Sequence, residues 1–108
     1  MRIVSTNLNG IRSAAAKGYF RWLSRQDADI VCVQETRCDL DQNPKLARSP
    51  RRFPFSHFAC AKKKGYSGVG IYTRHEPMKV VEGLGIPKID REGRYIRVDM
   101  GNLSVISV

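Results

Sequence analysis

The sequence lacks long hydrophobic runs and contains few cysteines. No run reaches the roughly 18 apolar residues of a membrane-spanning helix, so we expect no such helix. The chain enters a strand-like segment at Ile3, without the basic region and apolar stretch of a secretory signal. Three cysteines, Cys32, Cys38 and Cys60, are irregularly spaced, which fits neither a disulfide framework nor a zinc motif. We therefore expect reduced thiols in a cytoplasmic protein.

Acidic residues are scarce relative to basic ones. Lysine and arginine number 19 and aspartate and glutamate 10, which gives a net charge of +9 and a pI of about 10.0. Such an excess favours a polyanionic partner, with nucleic acid as the first candidate and an anionic membrane surface as the second. Charge alone leaves open a basic surface that binds nothing, because net charge bears on association and not on fold.

The beginning of the chain predicts a strand, a helix and a second strand. Ile3–Thr6 predicts a short strand, which ends at turn-forming asparagine and glycine residues. Ser13–Gln26 predicts a helix, because apolar residues from Ala16 onward recur at helical spacing. Gly18 weakens that helix locally and is a candidate for its true start. Ile30–Val33 is a continuous apolar run, typical of a strand covered on both faces, as in a parallel sheet.

The rest of the chain predicts a long loop followed mainly by strands. Residues 36–54 contain prolines and no sustained periodicity, so we expect a loop with one helical turn near Leu46. The chain stops within an apolar segment, which indicates that it is cut inside a core element or that another segment completes the sheet. The predicted elements are strands at Phe55–Ala61, Val69–Tyr72 and Met78–Glu82, a loop at Gly83–Gly93, and a hairpin of Arg94–Met100 with Leu103–Val108 around Gly101-Asn102.

Polar side chains follow both strands of the strand–helix–strand unit. Asn7 comes directly after the first strand, and Glu35 comes shortly after the second. Because the carboxyl ends of parallel strands share one edge of a sheet, we expect an amide oxygen and a carboxylate to meet there. Such oxygens suit Mg²⁺, which proteins bind through one or two carboxylates plus water and substrate phosphate. Taken alone, Glu35 is more often a solvated strand end, and Asn7 is more often a turn former.

Three further features have ordinary structural interpretations when taken singly. Gly65–Gly70 is glycine-rich but lacks the spacing of a nucleotide-binding loop and leads into a strand, so a phosphate contact and a tight turn both stay open. Arg91–Arg94 is a charged loop, for which a solvated turn is the simplest interpretation. His57 and His75 have no ligand partners nearby in the sequence, and we interpret both as structural or surface residues.

Taken together and in this order, four blocks of sequence are specific. Asn-Leu-Asn-Gly-Ile-Arg from Asn7, Gln-Glu-Thr from Gln34, Gly-Tyr-Ser-Gly-Val-Gly from Gly65 and Glu-Gly-Arg from Glu92 resemble the exodeoxyribonuclease III family of AP endonucleases. The resemblance runs over residues 1–108. It implies an α/β fold, namely the N-terminal part of a single four-layer sandwich domain in which helices flank two β-sheets. It also implies cleavage of the phosphodiester 5′ to abasic sites and 3′ to 5′ degradation of duplex DNA.

The resemblance assigns roles to individual residues. It implies that Glu35 ligates Mg²⁺, with Mn²⁺ as an alternative, and that Asn7 lies beside it as the second metal-binding and catalytic residue. Asn9 falls where the family carries Asp or Asn, and it is expected behind these two. The implied partner is duplex DNA with abasic sites or 3′ ends, without a membrane, and the full-length enzyme is expected to be a monomer. The residues expected to approach the DNA backbone are Arg12, Lys17, Tyr66 and Arg94.

The chain also departs from the family pattern. Arg37 stands where the family usually has lysine, which keeps the charge but changes the donor geometry. The family's later catalytic blocks lie beyond residue 108, so we expect this chain alone to be inactive. Two alternatives stay open: a non-catalytic basic DNA-binding fragment, and a related phosphodiesterase acting on phospholipid or inositol phosphate. The run from Tyr66 to Gly70 and the basic excess disfavour the second alternative.

Overall fold

The computed structural model describes residues 1–37 and 50–108. The helical turn predicted near Leu46 lies outside the described residues, as does Cys38. In the part of the chain that is described, no helix is long and apolar enough to cross a membrane. The described elements are strands β1 (Ile3–Asn7), β2 (Ile30–Gln34), β3 (Phe55–Ala59), β4 (Val69–Thr73), β5 (Lys79–Glu82), β6 (Ile96–Met100) and β7 (Leu103–Ser107), and helices α1 (Ile11–Ala16), α2 (Tyr19–Leu23) and α3 (Pro87–Asp90).

The first sheet has the strand order β1-β2-β4-β3. As predicted, β1 and β2 are parallel, and their register pairs Ile3 with Ile30 and Asn7 with Gln34. The sheet is not parallel throughout, because β4 runs antiparallel to both β2 and β3. The prediction that the apolar run of β2 is covered on both faces is confirmed, since the residues from Ile30 to Val33 are all buried.

The second sheet is an antiparallel meander of β5, β6 and β7. The predicted hairpin is confirmed: Met100 pairs with Leu103, so Gly101 and Asn102 form the two-residue connection. The inner face of this second sheet packs on the first sheet. Ser107 also joins the sheets through its hydroxyl, which donates to the Val33 carbonyl oxygen at 3.0 Å.

Strand β2 contributes to two cores because its side chains alternate between the faces of the sheet. Val31 and Val33 belong to the core between the first sheet and the helices, and Ile30 and Cys32 belong to the core between the two sheets. This order of helices, sheet and sheet agrees with the predicted α/β sandwich, and each fully buried aliphatic side chain stabilises it by about 1.5–3 kcal/mol. The helix-side core also contains Leu8, Ile11, Ala14, Phe20, Leu23, Ala28, Phe53, Phe58 and Tyr72, and the inter-sheet core also contains Ala59, Val69, Ile71, Ile96, Val98 and Val105.

The prediction of one helix over Ser13–Gln26 is wrong. Gly18 adopts a left-handed conformation with φ of 91°, so α1 ends at Ala16 and a second helix begins at Tyr19. Both helices bury side chains in the same core, but Ala16, which the predicted spacing placed on the apolar face, is exposed. The indication that Gly18 marks a helix start is confirmed, because it is the N-cap residue of α2.

The prediction of a loop throughout Gly83–Gly93 is also wrong, since it contains α3. Pro87 occupies the first turn of this helix, where its fixed φ is compatible with helix and its missing N–H is not needed. Asp90 then folds the preceding loop onto the helix. Its carboxylate oxygens accept from the backbone N–H of Leu84 at 2.8 Å and of Gly85 at 2.9 Å. Because these local polar bonds, and not a periodic set of apolar residues, stabilise the helix, the spacing of apolar residues in the sequence does not predict it.

Candidate active site

Asn7 and Glu35 meet at the carboxyl edge of the parallel pair. Asn7 is the last residue of β1, and Glu35 directly follows Gln34, the last residue of β2. The side-chain nitrogen of Asn7 donates a hydrogen bond to Oε2 of Glu35. The parallel register of the two strands therefore places an amide and a carboxylate in direct contact, although 28 positions separate them in the chain.

The loop after β1 is folded so that Asn7 has a fixed orientation. Its Oδ1 atom accepts from the backbone N–H of Asn9 at 3.0 Å, which orients the amide nitrogen toward Glu35. Asn9 itself has a φ of 49°, in the left-handed region that asparagine tolerates. The backbone N–H of Gly10 then donates to the carbonyl oxygen of Glu35 at 2.8 Å. Asn9 therefore supports the side chain of Asn7 through its backbone N–H, and the role expected of its side chain stays a prediction.

The loop after β2 is also held by hydrogen bonds, in this case to the turn that precedes β4. Thr36 is fully buried, and its N–H donates to the carbonyl oxygen of Gly68 at 3.1 Å, while that of Arg37 donates to Ser67 at 2.7 Å. A Cβ on Gly68 would lie 2.2 Å from Oγ1 of Thr36, and Gly68 has a φ of 92°. The close approach therefore requires glycine. Glu35 keeps a left-handed φ of 50° between these anchored neighbours.

Two hydrogen-bond donors and nearby positive charges favour the ionised form of Glu35. Asn7 donates to one carboxylate oxygen, and Nη2 of Arg37 donates to the other at 3.2 Å. These hydrogen bonds, Asn7 first and Arg37 second, lower the pKa of Glu35 below its ordinary value, and the charges of Arg37 and Arg94 act in the same direction. The side chain of Glu35 is 42% exposed, so solvent screens these interactions.

A cleft of about 500 Å³ opens above this pair. Glu35 is the only acidic residue that lines it within the described ranges, and Arg94 contributes a guanidinium to the same cleft. Gln34 and Ser67 add polar atoms to the wall. The cleft thus combines a carboxylate, an amide and a cation, a set suited to a phosphate group that is bound together with a divalent metal ion.

Tyr66 and Arg94 form one hydrogen-bonded group with Glu92. Nη2 of Arg94 donates to the hydroxyl of Tyr66 at 2.8 Å and to Oε1 of Glu92 at 3.1 Å. The Tyr66 hydroxyl donates to the same Glu92 oxygen at 3.2 Å. The Arg94 guanidinium and the Lys63 ammonium each lie 5.5 Å from the centre of the Tyr66 ring. Sequence reasoning selected Tyr66 and Arg94 but missed Glu92, for which the two-residue spacing to Arg94 was the available signal.

Arg12 and Lys17, the other two residues expected at a DNA backbone, do not line this cleft. Arg12 lies on α1 and Lys17 directly follows that helix, and both are exposed. Neither side chain makes a hydrogen bond or an ion pair with another described residue. Their charged groups are therefore available to an external anion.

The donor set at the pair fits a hard divalent cation. Magnesium prefers carboxylate and amide oxygens and keeps several waters, so the Glu35 carboxylate is a ligand of the right type. Asn7 differs from the prediction, because its amide nitrogen and not its oxygen meets Glu35. Its Oδ1 atom accepts from the Asn9 N–H and has a second lone pair for an ion. Within residues 1–37 and 50–108, no group of three or more His, Cys, Asp and Glu residues could hold a metal ion. Water and substrate phosphate oxygens ordinarily supply further ligands of a protein-bound Mg²⁺.

Comparison with known sequences identifies nucleases as relatives. The sequence profile of the Endonuclease/Exonuclease/phosphatase family matches residues 4–108. An exodeoxyribonuclease of Bacillus subtilis (strain 168) is 35% identical, in an alignment that covers all of this chain and 42% of that protein. A DNA-(apurinic or apyrimidinic site) endonuclease of Dictyostelium discoideum is 32% identical over 99% of this chain and 29% of its own length. The chain therefore spans less than half of these relatives.

Solved structures of the same kind share the fold. An AP endonuclease from Archaeoglobus fulgidus superimposes with a TM-score of 0.77 at 31% identity, over 98% of this chain and 40% of that chain. The 3′ phosphatase NExo from Neisseria, bound to a product DNA hairpin, superimposes with a TM-score of 0.76 at 27% identity, over the same shares of the two chains. By sequence and by structure, this chain belongs to the Endonuclease/Exonuclease/phosphatase family.

Proposed function

We propose that this chain supplies the metal-binding and phosphate-binding part of a Mg²⁺-dependent DNA-repair phosphodiesterase. The complete enzyme would cleave 5′ to abasic sites and degrade duplex DNA from its 3′ ends. The observation that carries the proposal is the hydrogen-bonded pair of Asn7 and Glu35 in a cleft that also contains Arg94. Relatives named exodeoxyribonuclease and apurinic site endonuclease support the choice of DNA as the substrate.

The proposed roles follow from the contacts of each side chain. Glu35 and Asn7 would hold the metal ion, and Asn7 would also fix the carboxylate through its amide nitrogen. When bound there, Mg²⁺, or Mn²⁺ as the alternative, would supply Lewis-acid polarisation of the phosphoryl oxygen. Arg94, which lines the same cleft, would bind a phosphate oxygen, because the geometry of a guanidinium matches that of phosphate.

Duplex DNA is the partner that the charge distribution favours. Residues 51–75 contain six lysines and arginines and no acidic residue, and residues 1–26 contain five and likewise no acidic residue. Phosphate contacts from such residues supply most of the sequence-independent affinity for DNA. Arg12, Lys17, Tyr66 and Arg94 are the residues proposed to contact the backbone.

Replacing Glu35 with glutamine in the complete natural protein tests this proposal. The amide keeps the size of the side chain but removes the charge, so Mg²⁺-dependent cleavage of an abasic duplex should fall on the order of 100-fold. Titration calorimetry with MgCl₂ alone should show weaker binding to the variant. Cleavage that survives within a fewfold of wild type would contradict the assigned role.

The matched control is Glu76→Gln, which makes the same change of charge at an exposed residue outside the cleft. We expect its cleavage rate within about twofold of wild type, as for most surface substitutions. The same assay should include soluble inositol phosphates and phospholipid vesicles. Preferential cleavage of either one would favour the related phosphodiesterase over the DNA enzyme.

A non-catalytic DNA-binding role is the second candidate. It is favoured by the basic excess, since residues 1–26 and 51–75 contain eleven lysines and arginines and no acidic residue. This role predicts binding that weakens steeply with salt and needs no Mg²⁺. Duplex binding without any cleavage in MgCl₂ by the complete natural protein would support it over the nuclease.

A further inference from the structure

Glu92 is a partly buried acidic residue in a strongly basic neighbourhood, and it has two specific partners. One of its carboxylate oxygens accepts from Tyr66 at 3.2 Å and from Arg94 at 3.1 Å. These partners also contact each other, through the 2.8 Å bond from Arg94 to the Tyr66 hydroxyl. A merely solvated glutamate would not complete a closed triangle of hydrogen bonds.

We propose that Glu92 is a positioning residue that holds the Arg94 guanidinium at the wall of the cleft, ready to receive a phosphate. The inference rests on the proposed function, since it assumes that a nucleic acid phosphate enters the cleft. It assigns to Glu92 a role in DNA binding although its own charge repels DNA. The apparent contradiction is what makes the inference testable.

The backbone that carries Glu92 is itself fixed. A Cβ on Gly93 would lie 2.6 Å from the backbone nitrogen of Ala61, so this loop packs directly on the chain that follows β3. The carbonyl oxygen of Arg91 accepts from the N–H of Lys62 at 2.8 Å. The backbone on both sides of Glu92 is therefore held, which limits the positions from which its carboxylate can bind Arg94.

The contacts of Arg94 leave donors for a ligand. Only its Nη2 atom is used in the bonds to Tyr66 and Glu92, while a guanidinium carries five N–H donors in a fixed plane. The hydrogen bond to Glu92 also raises the pKa of Arg94. Glu92 and Tyr66 together hold the guanidinium at the wall of the cleft that Arg94 shares with Glu35, the carboxylate proposed to hold the metal ion.

The substitution Glu92→Gln separates this inference from simple electrostatics. Removing one negative charge from a basic protein should tighten its binding to DNA if long-range attraction alone matters. If Glu92 positions Arg94, the same change should weaken binding, because glutamine binds a guanidinium less strongly than a carboxylate does. The two explanations predict opposite signs.

The measurement is fluorescence anisotropy with the complete natural protein and a labelled duplex that contains a tetrahydrofuran abasic analogue, in EDTA to prevent cleavage. We expect Glu92→Gln to bind about tenfold more weakly, on the scale of one charge-assisted hydrogen bond. A salt series should give a slope of log K against log salt that is less steep by about 0.9, which corresponds to one lost phosphate contact. Glu76→Gln, which makes the same charge change at an exposed residue outside the cleft, should bind as tightly as wild type or slightly more tightly.

Tyr66→Phe is the second variant. It removes the 2.8 Å bond from Arg94 but retains the direct bond of 3.1 Å between Arg94 and Glu92, so its loss of affinity should be smaller, about two- to threefold. Glu92→Gln binding as tightly as wild type, or binding more weakly with an unchanged salt slope, would overturn the positioning role alone. Wild-type protein that fails to bind the duplex at low salt would overturn this inference and the proposed function together.

Discussion

Replacing Gly68 with alanine tests how the loop that carries Glu35 is held. The new Cβ would lie 2.2 Å from Oγ1 of the buried Thr36 and 3.6 Å from the backbone nitrogen of Arg37. Both neighbours belong to the loop after β2, and both donate hydrogen bonds to the turn that contains Gly68. Alanine must therefore displace this loop or the turn, and a displaced loop carries Glu35 away from Asn7.

Two effects add in this variant. Alanine at a φ of 92° incurs the left-handed backbone cost, and the steric overlap incurs the cost of overpacking. Together they should lower the free energy of unfolding by about 2–5 kcal/mol, of which about 1–2 kcal/mol is the backbone contribution. Gly65→Ala is the matched control, because Gly65 has a φ of 71° and nothing within 4 Å of the position of a Cβ. It should cost only the backbone contribution of about 1–2 kcal/mol.

Urea denaturation of the complete natural protein and of both variants provides the assay. With a slope of about 2 kcal/mol per molar urea, a difference of about 2 kcal/mol would separate the two midpoints by about 1 M. The Mg²⁺-dependent cleavage rate, measured well below both midpoints, should fall for Gly68→Ala and stay near wild type for Gly65→Ala. Equal midpoints for the two variants would refute the argument that Thr36 packs against Gly68 too closely for a side chain.

Two further predictions concern buried titratable groups. Burial lowers the pKa of His57, whose Nε2 atom is buried without a hydrogen-bond partner among the described residues, so the unfolded chain binds more protons near pH 6.5. Stability should therefore fall as the pH is lowered through about 6.5, and His57→Gln should reduce the difference between urea midpoints at pH 7.5 and 5.5; an unchanged difference would contradict this. Burial raises the pKa of Cys32 to about 11, so iodoacetamide at pH 8 should label this thiol only after unfolding, as peptide mass spectrometry would show. Rapid labelling of Cys32 in the native protein would contradict its place in the core between the sheets.

The parallel strand pair and its polar edge were predictable from local patterns. The apolar run of β2, its distance from β1 and the intervening helical segment together require a crossover that makes the strands parallel. Once the strands are parallel, Asn7 and Glu35 fall at one edge without further information. The break at Gly18 is different, because a left-handed glycine and a tolerated helix glycine look alike in a sequence.

The support around the site was not predictable in the same way. Whether Gly68 is a flexible turn or a close contact depends on Thr36, which is distant in sequence and approaches only in the folded state. Glu92 and Tyr66 are 26 positions apart, and no periodic pattern in the sequence indicates that they contact each other. Residues that act through a distant neighbour therefore look like ordinary turn residues until the fold is known.

The hydroxyl of Ser107 has a consequence for how the molecule opens. It donates to the carbonyl oxygen of Val33 and accepts from Nε2 of Gln34 at 3.2 Å, while Gln34 also donates to Ser5 at 3.1 Å. Separating the sheets here would strip a buried hydroxyl of its partners, which costs about 1–3 kcal/mol in addition to the apolar contacts. Amide hydrogens of β2 and β7 should therefore exchange with solvent in one shared opening event. The first sheet, which leads into Glu35, and the second sheet, whose strand β6 begins just after Arg94, then unfold as one cooperative unit beneath the cleft.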